Sequence, residues 1–321
     1  MTVFDRHSLP LLLALPDEAC GPQGDHPCVA VALCDLDEAA ARRLAHLPCP
    51  VIGVGQGPHA RFVDVIAPTP DAAEALAVNI AQAPFAAMVL VQTLRAADGL
   101  APSAALTLES LAFATLQFGP DFRSWLNARG AHPPAAVATN EPSARIARAG
   151  CDLRITLNRP DALNAVNVPM RDALVEAFDL ALLDGAILRV TLDGAGRCFS
   201  IGGDLSEFGR VADPTTAHWV RTLRGPAGRL SQLRDRLTAR VQGGVVGAGL
   251  EMAAFAGRLV AAPDAWFQLP ELRYGLIPGA GGTVSVTARV GRQRTAWLAL
   301  SMRRINASTA LAWGLVDAIE S

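Results

Sequence analysis

The chain has 321 residues, of which 51% are hydrophobic and 18% charged, and its formal net charge is −2. That composition suits a well-cored globular protein of one large or two modest domains and excludes a disordered chain. A near-neutral balance supplies no field for nucleic acid or an anionic membrane surface. All 28 basic residues are arginine, so Schiff-base chemistry on lysine is excluded and phosphate contacts fall to arginine or backbone N–H groups.

The apolar stretch 9–15 is short and flanked or broken by Pro10 and Pro16. It makes a poor signal peptide, no apolar run reaches bilayer length, and a cytoplasmic location is expected. Residues 28–34 predict a buried strand, 37–47 a short helix with Asp35 as its cap, and Val51–Val54 a second strand. Cysteines at 20, 28, 34, 49, 151 and 198 form no C-x-x-C pair and match no zinc spacing, so reduced, mostly buried thiols are expected. Residues 71–94 and 104–128 carry helical spacing, the second through Leu106, Leu108, Leu111, Phe113, Leu116 and Phe118. Residues 131–150, rich in proline and small side chains, read as a linker between an N-terminal α/β region (1–130) and a second unit (151–321). In that unit 153–157 and 187–192 predict buried strands, with a helix at 169–183 between them.

Glycine clusters follow at 194–196, 202–203, 243–249 and 279–282. Some of this is ordinary turn chemistry. Two clusters, however, stand at strand ends directly before helical patterns, where backbone N–H groups point outward unpaired. Four segments matter: L-N-R-P-D-A-L-N-A at 157–165, G-R-C-F-S-I-G-G-D-L at 196–205, V-Q-G-G-V-V-G-A-G-L-E at 241–251 and F-Q-L-P-E-L-R-Y-G-L-I-P-G-A-G-G at 267–282. The third runs into an expected helix at 252–256. Each is weak alone; in this order, and closed by W-G-L-V-D at 313–317, they are specific. From about residue 151 onward the chain resembles the crotonase (enoyl-CoA hydratase/isomerase) superfamily. The resemblance implies an α/β spiral of ββα units, assembled as a homo-trimer or homo-hexamer. It further implies binding of acyl-CoA thioesters and stabilisation of a thioester enolate, with no metal or redox cofactor.

Reaction beside a thioester places negative charge on its carbonyl oxygen, and each preorganised N–H donor aimed there is worth roughly 10²–10³ in rate. By resemblance the donors are the amides of Ile201 and Ala248, with Gly202, Gly203, Gly247 and Gly249 admitting substrate to the main chain. Ala248 stands at a helix start, whose amino end carries about half a positive charge. Ile201 replaces the more usual alanine; only its backbone is required, so a changed pocket shape is expected.

Glu251 and Glu271 occupy the positions of the hydratase carboxylates. Hydration needs water activated at one carbon and a proton delivered to the next, and burial lifts a carboxyl toward the working range. The resemblance gives the water to Glu251 and the α-carbon proton to Glu271. It places coenzyme A along Arg159, Ala162 and Leu163 and along Ile201, Gly202, Gly203, Asp204 and Leu205, with Gly247 and Ala248 beneath the thioester. Asp204 reads equally well as a helix cap. Arg273 and Tyr274 read as packing or pairing residues, while His218 and Trp219 lie in a variable stretch, 211–223, that in the family covers the acyl chain.

Family members normally run well past the G-L-V-D position through helices that cover the pocket, whereas this sequence ends four residues after Asp317. Residues 60–130 weakly resemble that missing part, so a permuted helical cap is expected, with an unrelated helper domain as the alternative. Hydration of a 2-enoyl-CoA is the leading reading. Isomerisation, hydrolysis or decarboxylation of an acyl-CoA, and non-catalytic acyl-CoA binding, stay open because a fold does not fix a reaction.

Overall fold

The computed structural model describes residues 2–130 and 141–320. A four-stranded parallel sheet opens the chain in the order β1 (Val3–Phe4), β2 (Val29–Ala32), β3 (Val51–Val54), β4 (Val65–Ala67). Strand alternation gives it two buried faces. Val29, Val31 and Val51 meet α1 (Leu9–Leu13) and α2 (Glu38–Leu44) in a small separate core, while Ala30, Ile52 and Val65 join the main core. The strand expected at 28–34 is shorter because Leu33–Asp35 turns into a 3-10 helix, and Asp37 rather than Asp35 caps α2, accepting the Ala40 N–H at 2.8 Å. Cys20, Cys28 and Cys49 are buried, and no disulfide joins cysteines among the described residues. Burial pushes the Cys28 thiol up to about 12.

Each of the two long helical patterns is broken by a proline. The first becomes α3 (Pro70–Gln82) and α4 (Pro84–Ala96), bent by 110°, and the second becomes α5 (Pro102–Leu116) and α6 (Pro120–Arg129). Pro84 and Pro120 have no N–H to continue the ladder and push the preceding residue out of helical conformation; Ala83 sits at φ −144°, ψ 64°. No single helix among the described residues is long and apolar enough to cross a membrane.

Part of the expected linker, 131–140, lies outside the described residues. The rest is not a linker: β5 (Ala144–Ala149) pairs antiparallel with β6 (Asp152–Leu157) along its whole length. Five of its six residues are exposed, Arg145 and Arg148 among them, which hides the strand from a hydrophobic pattern. The chain continues through α7 (Val168–Leu183), β7 (Arg189–Gly194), α8 (Pro214–Arg224), α9 (Ala227–Leu233), β8 (Leu237–Val241) and β9 (Gly244–Val246). It then forms α10 (Ala248–Ala253), β10 (Arg258–Ala261), β11 (Trp266–Gln268), α11 (Gly282–Val290) and α12 (Arg292–Ser301). Last come β12 (Ile305–Asn306), α13 (Ala307–Trp313) and β13 (Ala318–Ile319). A six-stranded sheet, β13-β10-β8-β7-β6-β5, is parallel apart from its β5 edge, and a three-stranded sheet, β12-β11-β9, stands beside it.

The N-terminal helices sit on this second half. Helix α5 packs on α8, α9 and α11, while α3 and α4 pack on α12. A buried carboxylate, Asp64, fastens the joint: it takes the Val51 N–H at 2.9 Å, pairs with Arg95, and pairs with Arg292 at 3.0 Å. The Asn79 amide donates to the carbonyls of Leu300 and Ser301 at 3.0 and 3.2 Å.

Candidate active site

The asparagine-rich motif at 157–165 builds a platform rather than a reactive group. Asn164, at φ 55°, accepts the Arg159 N–H at 2.8 Å and donates to the carbonyls of Ala195 and Cys198 at 2.8 and 2.9 Å. The loop after β7 is thereby tied down, and backbone bonds from Phe199 to Gln242, Ser200 to Gly244 and Val246 to Ser200 lay it along β9. Residues 201–203 and the start of α10 are thus brought together. A methyl added at Gly202 would stand 3.1 Å from the Val246 carbonyl oxygen and 3.5 Å from the Ala248 nitrogen.

Ala248 opens α10, whose first-turn amides have no intrahelical acceptor. The helix starts earlier than the expected 252–256, and is only six residues long. Ile201 differs from the expectation: its N–H donates to the Leu163 carbonyl at 3.1 Å. An oxyanion here gains the Ile201 amide only by sharing or displacing that bond, whereas Ala248 is already uncommitted.

Arg159 also departs from its expected place. Both terminal nitrogens donate to Asp204 at 3.1 Å, and one also reaches the Ala165 carbonyl, so the guanidinium is spent inside the platform and is not free for a phosphate. Asp204 is a cap as well, accepting from Ser206 N and Oγ at 3.1 and 2.7 Å. Ala162, Gly202, Gly203, Leu205 and Gly247 line one cavity of about 1650 Å³ together with both glutamates. Tyr274 packs against Trp125 and Phe208, and Trp219 is 61% exposed and is not among the residues that line the cavity. His218 is held by Ser110 through a 2.9 Å bond.

Both glutamates are buried in this cavity. Glu251 projects from α10, and its Oε2 accepts the amides of Ala280 and Gly282 at 2.7 and 2.8 Å at the start of α11. Glu271 begins a 3-10 turn after Pro270; its Oε2 has no hydrogen-bond partner in the protein. A side chain at Gly247, which holds φ 49°, would strike Glu271 Oε1 at 2.6 Å. Only glycine lets this turn and this carboxyl coexist.

Sequence reasoning missed a third buried carboxyl. Glu109 reaches in from α5 and accepts Gly281 N at 2.7 Å, Thr283 N at 2.9 Å and Thr283 Oγ1 at 2.7 Å. Its signal was positional: Glu109 shares the buried stripe of α5 with Ala105 and Phe113, at helical spacing, whereas Leu111 of the expected stripe is exposed.

Burial, then the charges of Glu271 and Glu109, hold the proton on Glu251 well above the usual carboxylate range, opposed by its two amide bonds. Burial likewise pushes Glu271 up to about 8, and Glu109 is raised by burial against its three donors. The folded chain therefore keeps a proton on Glu271 to about pH 8, whereas the unfolded chain releases it near 4.5. Between those values the fold binds the extra proton, so stability falls as pH rises through that window. Glu271→Gln should flatten the decline of melting temperature between roughly pH 5 and pH 9, gaining several degrees over wild type at the alkaline end. Melting curves that run parallel for the two proteins would remove the buried-proton assignment.

Among the described residues no three His, Cys, Asp or Glu side chains are grouped so as to hold a metal ion. What the arrangement offers is an amide donor, two buried acids and a roomy cleft: proton transfer beside a polarised carbonyl.

This spiral α/β core and its glycine-lined acid pair define a crotonase-type protein. The family model for enoyl-CoA hydratase/isomerase matches residues 151–321, and the chain belongs to that family. It is 36% identical over 166 residues to the 2,3-dehydroadipyl-CoA hydratase of Escherichia coli (strain K12), covering 51% of this chain and 64% of that one. It is 31% identical over 166 residues to a trans-2-decenoyl-acyl-carrier-protein isomerase of Streptococcus mutans, covering 50% and 63%. A solved enoyl-CoA hydratase from Thermoplasma volcanium GSS1 superposes with a TM-score of 0.50 at 34% identity, over 56% of this chain and 72% of the other. The chain thus spans slightly less than two thirds of these curated relatives.

Proposed function

We propose that this chain adds water across the double bond of a 2-enoyl-CoA, giving a 3-hydroxyacyl-CoA. The reading is carried by one observation: Glu251 and Glu271, both buried with raised proton affinity, meet around the Gly247–Ala248 turn in a single cavity. The thioester carbonyl accepts from the Ala248 N–H, joined by the Ile201 N–H when Leu163 shares it. While Glu271 keeps its proton, its charge no longer raises Glu251, and the amides of Ala280 and Gly282 favour the carboxylate there, so we assign the negative charge of the pair to Glu251. It takes a proton from the water that adds to the β-carbon. Glu271 lacks such donors, stays protonated, and delivers its proton to the α-carbon. A proton returned from Glu251 to Glu271 resets the site.

With Arg159 committed, the coenzyme A phosphates fall to Arg210, Arg273 and Arg304, which line the cavity, are exposed, and have no carboxylate within ion-pair distance among the described residues. The isomerase relative favours a second reading, in which one acid moves a proton between carbons of a 3-enoyl-CoA.

Following the ultraviolet absorbance of the conjugated thioester separates the two. Crotonyl-CoA should lose its band as 3-hydroxybutyryl-CoA forms. A flat trace with crotonyl-CoA, and a growing band from 3-hexenoyl-CoA, would replace hydration by isomerisation.

A further inference from the structure

Arg221, in the last turn of α8, lines the cavity with a half-buried side chain that the proposed reaction does not use. Its Cζ lies 4.1 Å from the centre of the Phe113 ring. One terminal nitrogen donates to the Gly279 carbonyl at 3.2 Å and the other to Gln117 Oε1 at 3.3 Å, while Nε is buried with no partner. Three of its five N–H donors are thus without an acceptor among the described residues, and no carboxylate stands within 4.0 Å of it. Two long bonds to neutral oxygens and one ring face offset only part of the cost of desolvating a cation, which in a settled core is normally paired. Glu109 and Glu251 stabilise it only at longer range.

We propose that Arg221 is a specificity residue for an acyl group that carries its own carboxylate, so that the preferred substrate class is a short dicarboxylic acyl-CoA. The position sets the length. Arg221 bonds the carbonyl of Gly279, and the next residue, Ala280, bonds Glu251. The anion therefore lies only a few carbons beyond the atoms on which Glu251 acts. A planar guanidinium with adjacent free N–H groups matches a carboxylate in two-point geometry. Phe113 of α5 and Gln117, the residue that caps its C-terminal end, hold the group in place, so the N-terminal region supplies part of the specificity. A neutral alkyl chain in the same place would leave the cation unpaired.

This rests on the cavity being an acyl-CoA site, and its test avoids the hydration step by using saturated thioesters, which cannot react. Calorimetric affinities of succinyl-, glutaryl- and adipyl-CoA are compared with that of butyryl-CoA, for wild type, Arg221→Met and Arg221→Lys. At least one dicarboxylic ester should bind roughly 10- to 100-fold tighter than butyryl-CoA. Arg221→Met should collapse that ratio to near one, and Arg221→Lys should keep part of it. Equal affinities in the wild type overturn the proposal without any variant, as does a preference that survives Arg221→Met. If crotonyl-CoA is not hydrated yet the Arg221-dependent preference persists, hydration alone is lost; if no CoA ester binds, both readings fall.

Discussion

Glu251→Gln should lower kcat for hydration of crotonyl-CoA by roughly 10²–10⁴, the range that a single positioned acid or base contributes. Glutamine keeps the volume of the side chain, and its carbonyl can still accept from Ala280 or Gly282, so the protein should fold and bind thioester with a KM near that of wild type. What it loses is the capacity to take a proton from water. Glu271→Gln should cost a similar factor by removing the proton destined for the α-carbon. The double variant should be little worse than either single one, because groups that act on one transition state are not additive. Initial rates across roughly pH 5–9 add a second check: wild type should show a bell, and each single variant should lose one limb. Should both variants keep rates within about threefold of wild type, the pair has no part in catalysis and the binding-protein alternative takes its place.

The core of the fold was legible because its motifs act through the backbone. A positive φ at Gly247 and the loop-and-helix start at 201–203 and 247–248 write glycine directly into the sequence. Helix α7 and strands β3, β6 and β7 were readable within a few residues, since each buries a regular apolar face. Illegible features depend on contacts far apart in the chain. Glu109 meets Gly281 and Thr283 across 172 and 174 residues, and nothing near Glu109 announces them. Arg159 looked like a ligand contact because a motif residue with a charge invites that reading; its partner Asp204 is 45 residues away. Strand β5 hid in a proline-rich neighbourhood because five of its six residues are exposed. Helix α5 packs against α8, α9 and α11 and lines the very cavity the glycine motifs build, and we propose that residues 60–130 act as a rearranged cap.

Replacing Glu109 is the sharpest probe of that cap. Four consecutive amides at the start of α11 alternate between two acids: Ala280 and Gly282 donate to Glu251, Gly281 and Thr283 to Glu109. Three donors on two oxygens suit a carboxylate, which only accepts. In Glu109→Gln one oxygen becomes an NH₂ facing a donor, and a buried amide is left unpaired at about 1–3 kcal/mol. Glu109→Ala strands both amides and the Thr283 hydroxyl, and should cost roughly 3–5 kcal/mol in denaturant unfolding. A clamp would do no more than that. Glu109 also raises the proton affinity of Glu251 and Glu271 through its charge, so neutralising it should let both ionise at lower pH. In Glu109→Gln the pH–kcat bell should therefore move to the acid side, with kcat affected more than KM because the loop that aims Glu251 has lost half its support. A profile that stays in place while only stability falls would confine Glu109 to holding the cap, and would leave the tuning of the catalytic pair to residues 151–321 alone.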